Sequence, residues 1–247
     1  MTFKKYRLWA VTGIFCLAGF AKLIFPLTKV LEQTHNRLVF EFSIEGLTLD
    51  TVTVSGKRFI QVSIKGGQGG TEEGLPDLPC EIFRLGIPVN GNMSVKSCNI
   101  LDTRHFSSVL PPLPVPHYDI IHGNPVPEYR YSENTYVSRG YYPSSNYEIR
   151  DNSMILTIQS VQLVIKPVHY DARNGKYTIV NRMRFNLEFS SNGGLSVNMS
   201  QNQLIRMRNS LKQSFLNFNM VSKWHTFRKS GVLSKNISGS DNWQQLW

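Results

Sequence analysis

Cysteine, long apolar runs and helical periodicity are all scarce in this chain of 247 residues. The three cysteines, Cys16, Cys80 and Cys98, form no CxxC pair, and the six histidines form no HxxxH step. A metal site of either kind is therefore not written into the sequence. A GxSxG elbow, a phosphate loop and an HExxH motif are also missing, which removes the commonest hydrolase and nucleotide-binding signatures. The longest apolar run, Leu8–Phe20, is shorter than the roughly 20 residues a spanning helix needs. Up to residue 100 nothing recurs at three- and four-residue spacing, so the front of the chain is not a helical bundle. Acidic residues are scarce at both ends. Residues 1–30 carry five basic and no acidic side chains, and residues 201–247 carry seven basic against Asp241 alone. The overall charge of +10 therefore leaves 15 basic and 16 acidic residues for 31–200. A nearly neutral body with basic ends excludes a nucleic-acid-binding face built into the fold.

What is present begins with an export signal. Lys4, Lys5 and Arg7 precede the apolar run, and Gly19-Phe20-Ala21 supplies small residues at the −3 and −1 positions of a cleavage site. Residues 1–21 read as a secretory signal peptide. The alternative, an uncleaved anchor extended through Leu23-Ile24-Phe25, is interrupted by Lys22. Export leaves Cys80 and Cys98 as one pair able to form a disulfide. A tight hairpin about Asn90-Gly91 would instead set Cys80 opposite Leu101, so the register does not favour the bridge.

The middle of the chain alternates apolar and polar residues in short segments. Asn36–Ile44, Thr48–Val54, Lys57–Ile64, Glu81–Ile87, Asn92–Ile100, Met154–Ile165, Pro167–Tyr170, Tyr177–Val180 and Met183–Phe189 all read as strands. Ser55-Gly56 and Asn174-Gly175 are turn signals. Between the strands, Gly66–Pro88 runs from a glycine-rich loop into Leu75-Pro76-Asp77-Leu78-Pro79, an extended ribbon that cannot be helix. Residues 107–147 hold Pro111, Pro112, Pro114, Pro116, Pro125, Pro127 and Pro143 among seven tyrosines. That density excludes a central strand and predicts an extended excursion lying on a surface, its own or a partner's. Towards the end, Leu204, Met207, Leu211, Phe215 and Phe218 recur at helical spacing with Arg206, Arg208 and Lys212 between them. An amphipathic helix over 200–222 is predicted, to pack on the body, lie on a membrane surface or lead to another domain. A polar tail, 223–247, follows. Together these segments predict an all-β fold, an antiparallel, jelly-roll-like β-sandwich over 36–192 with one short C-terminal helix.

No catalytic constellation emerges from these residues. Cys80 and Cys98 lie in strand-like runs without a helix N-terminus to lower their pKa. His122-Gly123 resembles the histidine–glycine step of caspase-type cysteine peptidases, yet in those the cysteine follows, and none follows Cys98 here. Glu72, Glu73 and Asp77 read as solvated loop carboxylates rather than a calcium or acid–base cluster. No cofactor or metal is predicted.

The ordered set of short motifs nevertheless has a likeness. The glycine-rich turn, Leu75–Pro79, Ile87-Pro88, Pro111–Pro116, Tyr142-Pro143, Lys166–Tyr170 and Asp171–Gly175 together resemble the N-terminal propeptide of gingipain-type cysteine peptidases, family C25. The resemblance implies a β-sandwich prodomain that keeps a cysteine peptidase latent, helps it fold and accompanies it through secretion machinery to the periplasm, outer-membrane surface or extracellular space. It further implies a partner, a gingipain-like peptidase domain in cis or in trans. The matching residues include no peptidase domain, so the chain reads as an orphan prodomain, a truncated product or the front piece of a split precursor. If the partner is Arg- or Lys-specific, Arg130 or Arg139 on the proline–tyrosine excursion is expected to enter its specificity pocket, with Arg104 in reserve. A surface sandwich for adhesion or carbohydrate contact, using the tyrosines as a platform, is the other reading.

Overall fold

The computed structural model describes residues 28–121, 124–131, 136, 141–155, 158–190, 195–199 and 201–229. The predicted signal peptide, 1–21, and residues 230–247 of the predicted polar tail lie outside them.

The longest apolar alternation in the described chain builds its central strand. In β13, Lys176–Ser190, Tyr177, Ile179, Met183, Phe185, Leu187 and Phe189 are buried. β6, Asn92–Ser107, pairs antiparallel along its whole length on one edge. The other edge is shared between two partners. β2, Arg37–Ser43, takes the half from Arg182 to Glu188, and β12, Val168–Asp171, takes the half from Lys176 to Ile179. β1, Thr28–Gln33, and β9, Tyr141–Tyr142, extend these two wings to complete a six-stranded sheet. A three-stranded sheet of β10, Tyr147–Ile155, β11, Ile158–Ile165, and β5, Glu81–Gly86, forms the second layer. All-β and sandwich-like, the architecture is the one predicted.

Side chains from both layers form the main core. Phe40 stacks on Phe185 at 5.2 Å between ring centroids, and Phe83 of the second sheet meets Phe40 and Phe42, each at 6.0 Å. Burying one such ring contributes roughly 1.5–3 kcal/mol. A second core lies under the hairpin of β3, Thr48–Val54, and β4, Lys57–Ser63. It gathers Ile60, Val62, Leu78, Tyr136, Val168, Tyr170, Tyr177 and Ile179.

Several elements differ from the sequence reading. Met154–Ile165 is not one strand but most of the β10–β11 hairpin, because Leu156-Thr157 carries no turn-forming residue to mark the reversal. Tyr177–Val180 and Met183–Phe189 are a single strand, and the polar break at Asn181-Arg182 is a register shift within it. Asn90-Gly91 does not close a hairpin, since β5 pairs with β11 and β6 with β13. Cys80 and Cys98 thus belong to different layers, and both are free thiols. The predicted helix is two, α1, Gln201–Ser214, and α2, Phe218–Trp224. Within the tail, β15, His225–Lys229, pairs in parallel with β14, Leu195–Met199.

Of the three destinations open to the amphipathic segment, the first is seen. Leu211, Phe215, Met220, Val221 and Trp224 are buried in the main core. This face is therefore occupied by protein rather than offered to a membrane surface. No helix among the described residues is long and apolar enough to cross a membrane. The break between the helices falls at Asn217, which is fully buried. Its carboxamide accepts a hydrogen bond from Gly86 N–H at 2.9 Å and donates one to Gly86 C=O at 2.8 Å. Both main-chain groups of the last β5 residue are thereby satisfied away from water. Gly86 has to be glycine, since a Cβ there would lie 2.3 Å from Val221 Cγ2.

Two stability predictions follow from these contacts. Asn217→Ala leaves a buried donor and acceptor unmet and should cost about 2–4 kcal/mol in urea unfolding, whereas Asn219→Ala on the exposed face should change little. Glu81 gives a pH dependence. It is buried, its Oε1 has no hydrogen-bond partner, and burial pushes its carboxyl up to about 7. A folded-state pKa above the unfolded value means that stability is greatest below about 4.5 and falls as pH rises through 7. Glu81→Gln should flatten the urea midpoint between pH 5 and 8 and raise stability at pH 8 by roughly 2–3 kcal/mol. An unchanged pH slope would remove that assignment.

Candidate interaction surface

The proline-rich runs are paired rather than loose. Leu113 N–H donates to Ile60 C=O at 2.8 Å, while its own carbonyl accepts from Asp77 N–H at 2.7 Å. Val115 N–H bonds Leu75 C=O, and Gly74 N–H bonds Val115 C=O. In both runs the paired residues alternate with prolines, so the missing N–H groups fall where no bond is needed. The ribbon 75–79 and the run 111–115 thus line the second core. Tyr136 O–H donates to Pro112 C=O at 2.9 Å, and Tyr177 O–H to Leu110 C=O at 3.0 Å, tying both tyrosines to this run. Tyr131 lies 4.3 Å from Tyr136 and 6.2 Å from Phe59 between ring centroids. The part of the excursion at 110–115, with Tyr131 and Tyr136, is therefore packed on the chain's own body and paired rather than loose.

Another part of the excursion projects. β7, His117–Ile121, and β8, Asn124–Glu128, form a two-stranded hairpin joined by residues 122–123. Pro125 and Pro127 sit opposite Ile120 and Tyr118, and the register from the two-residue connection makes these the non-hydrogen-bonded pairs. Proline excludes a central strand but is accommodated here, in a ribbon with one partner. The hairpin exposes Ile120 at 72%, Tyr118 at 58%, Ile121 at 49% and Val126 at 40%. Tyr118 and Ile120 share one face of the ribbon with Pro125 and Pro127, while Ile121 and Val126 lie on the other, so the projection is apolar on both faces, which marks an interaction site more than a lone exposed leucine does. Sequence reasoning missed it: the alternation His117–Ile121 ahead of Gly123 was the signal, read only as a histidine–glycine step.

Charges fix the hairpin base. His117 Nδ1 lies 2.9 Å from Glu73 Oε2 on the glycine-rich loop, and Nε2 lies 3.2 Å from Asp119 Oδ1. The hydrogen bond to Glu73, helped by the charges of Glu73 and Asp119, raises the imidazole pKa. Arg130 follows the hairpin, 62% exposed, and its Nη2 and Nε bond Glu128 Oε2 at 2.6 and 3.1 Å. That contact holds the Glu128 carboxyl below its ordinary range. Arg104 is elsewhere: on β6, it donates from Nε and Nη2 to Asn181 Oδ1 at 2.9 and 2.8 Å, and Asn181 in turn bonds Asp102. Arg139 lies outside the described residues. Of the expected arginines, the two described, Arg104 and Arg130, are thus not brought together. The loop acids also separate, Glu73 holding His117 while Asp77 Oδ1 accepts from Gly70 N–H at 2.6 Å.

A two-core sandwich presenting an exposed apolar hairpin offers a surface suited to docking on another protein. The Propeptide_C25 family profile matches residues 25–225, and the chain belongs to that family. The match extends beyond 36–192 to take in β1 and both helices. Two solved structures from Porphyromonas gingivalis share the fold. One, a study of zymogenic latency of gingipain K, is 20% identical and covers 68% of this chain and 94% of its own, with a TM-score of 0.55. The other, a complex of RgpB pro- and mature domains, is 15% identical and covers 78% and 98%, with a TM-score of 0.61. No curated protein sequence matches.

The His117 tie is testable on its own. A raised pKa means the interaction is complete below the unfolded value near 6.5 and is lost as pH rises through the folded one. Imidazole NMR titration should give His117 a pKa above the unfolded value near 6.5, and Glu73→Gln should lower it. Equal values in both proteins would show that the tie does not persist in solution.

Proposed function

We propose that this chain is an exported prodomain that docks on a gingipain-type cysteine peptidase domain, keeps it latent and assists its folding. The observation that carries this reading is the family match over 25–225, which gives the whole described fold one origin. The relative captured as a complex of pro- and mature domains supports a peptidase as the partner. Within that reading, the β7–β8 hairpin and its flanks supply the contact. Inhibition by a prodomain needs a segment ordered before docking, so that little entropy is lost on binding. A hairpin tied at its base by Glu73, His117 and Asp119 meets that need.

Arg130 is the best placed of the described arginines for an acidic specificity pocket, being exposed beside the hairpin. Its ion pair with Glu128 must open first, which costs little because both groups stand in water and the pair is screened. Arg139 is the second candidate and Arg104 the third, the latter held against the sheet by Asn181. Two cysteines with thiols made less acidic by burial, Cys98 up to about 11, take no nucleophilic part.

The test is inhibition of Arg- and Lys-specific gingipain-type peptidases by the purified protein. Replacing Arg130 or Arg139 with Ala should weaken inhibition at least about 30-fold if that residue anchors the complex. Ile120→Ser should weaken binding to either enzyme, since it removes apolar contact without touching the specificity pocket. Unchanged inhibition constants for all three arginine variants would discard the arginine anchor. Absence of binding to any such peptidase would discard the prodomain reading itself.

A further inference from the structure

The outer face of the three-stranded sheet carries a second, unrelated feature. Register places Arg84 of β5 directly across from Gln162 of β11. These two side chains, with Ile82, form one wall of a trough of about 520 Å³. Gln68 from the glycine-rich loop and Ser210, Gln213 and Ser214 from α1 complete its lining. The helical residues stand at i, i+3 and i+4, so they share one face. The main chain of Arg84 is anchored, its carbonyl accepting from Leu216 N–H at 3.0 Å. In its side chain, Nε is buried and has no hydrogen-bond partner.

A buried guanidinium N–H without an acceptor is unfavourable by more than a neutral group would be. No acidic residue lines the trough to relieve it. The neighbouring arginine in the same cross-strand row, Arg150, is satisfied by Glu148, which makes the contrast local rather than general. α1 adds charge of the same sign, with Arg206, Arg208 and Lys212 and no acid in its 14 residues. Arg206, Arg208 and Lys212 are exposed and do not line the trough, whose one cation among the described residues is Arg84.

We infer that this trough is a binding site for the carboxylate side chain of an acidic peptide. The planar guanidinium fork matches a carboxylate, and one cation matches one negative charge, whereas a phosphate dianion would be left half neutralised. Gln68, Gln162 and Gln213 each offer a donor and an acceptor, as the peptide groups on either side of the bound side chain require. The trough is also larger than a lone carboxylate would fill. It shares no residue with the β7–β8 hairpin, so the inference does not rest on the peptidase reading.

The experiment titrates a tetraglutamate peptide into the full chain at low ionic strength, followed by amide NMR and calorimetry. Shifts should concentrate at Gln162, Ser210, Gln213 and Ser214. Arg84→Gln should weaken binding at least about tenfold, the loss of one charge-assisted contact, with folding checked by thermal melting. Ser210→Glu, which supplies the carboxylate from within, should abolish peptide binding and raise the melting temperature. If Arg84→Gln fails to fold, Ser210→Glu and the shift pattern decide. Shifts confined to the exposed Arg208–Lys212 surface would overturn the assignment, as would wild-type affinity in either variant or no binding at all. Inorganic phosphate binding as tightly as the peptide at the same residues would overturn the carboxylate class.

Discussion

Both edges of β13 must be paired, and the rest of the sandwich depends on how this is achieved. A strand of 15 residues is about three times the usual length, and most of one face is buried. Leaving any stretch of its main chain unmet would cost more than one side-chain contact returns. β6 meets the requirement on one side by running the full length. On the other side no single strand is long enough, so β2 and β12 divide the edge. This division is the reason for two cores. The half paired with β2 packs against β5 and β11 and is closed by the helices, while the half paired with β12 packs under the β3–β4 hairpin and the proline runs.

The second core in turn decides where the interaction surface stands. Pro111–Val115 is fixed between Ile60 on one side and Leu75–Asp77 on the other. The next strand, β7, therefore leaves from a defined place. His117, its first residue, is held by Glu73 of the same glycine-rich loop that feeds the ribbon. Stability of the second core and orientation of the hairpin are thus one problem, linked through residues 73–77 and 111–117.

Local chemistry made some of this legible and not the rest. β3 and β4 could be read in full, because alternation is clear and Ser55-Gly56 both adopt positive φ in the turn. The Asp171–Gly175 reversal was equally plain, with Asp171 accepting from Arg173 N–H and Asn174, and Gly175 at φ +58. What alternation cannot state is a partner. Nothing around Asn90-Gly91 distinguishes a hairpin from a crossing between layers, so the disulfide question could not be resolved from spacing. Asn181 looked like a strand end, since a register shift interrupts the pattern as a loop would. Arg130 was visible as a residue, but its projecting support was not. Proline counts argue against strands in general, whereas Pro125 and Pro127 argue only against one particular edge.

That edge has a further consequence. Pairs of strands that stand clear of a protein are templates on which other chains can add and polymerise. The outward side of β8 shows carbonyl oxygens at residues 125 and 127 and no donor beside them, because both are proline. A strand arriving there could make only half a ladder. The β8 edge is therefore closed to growth into aggregates, whereas the β7 edge turns the N–H and C=O groups of Tyr118 and Ile120 outward. Recognition on the β8 side must run through side chains, which is where selectivity between partners resides.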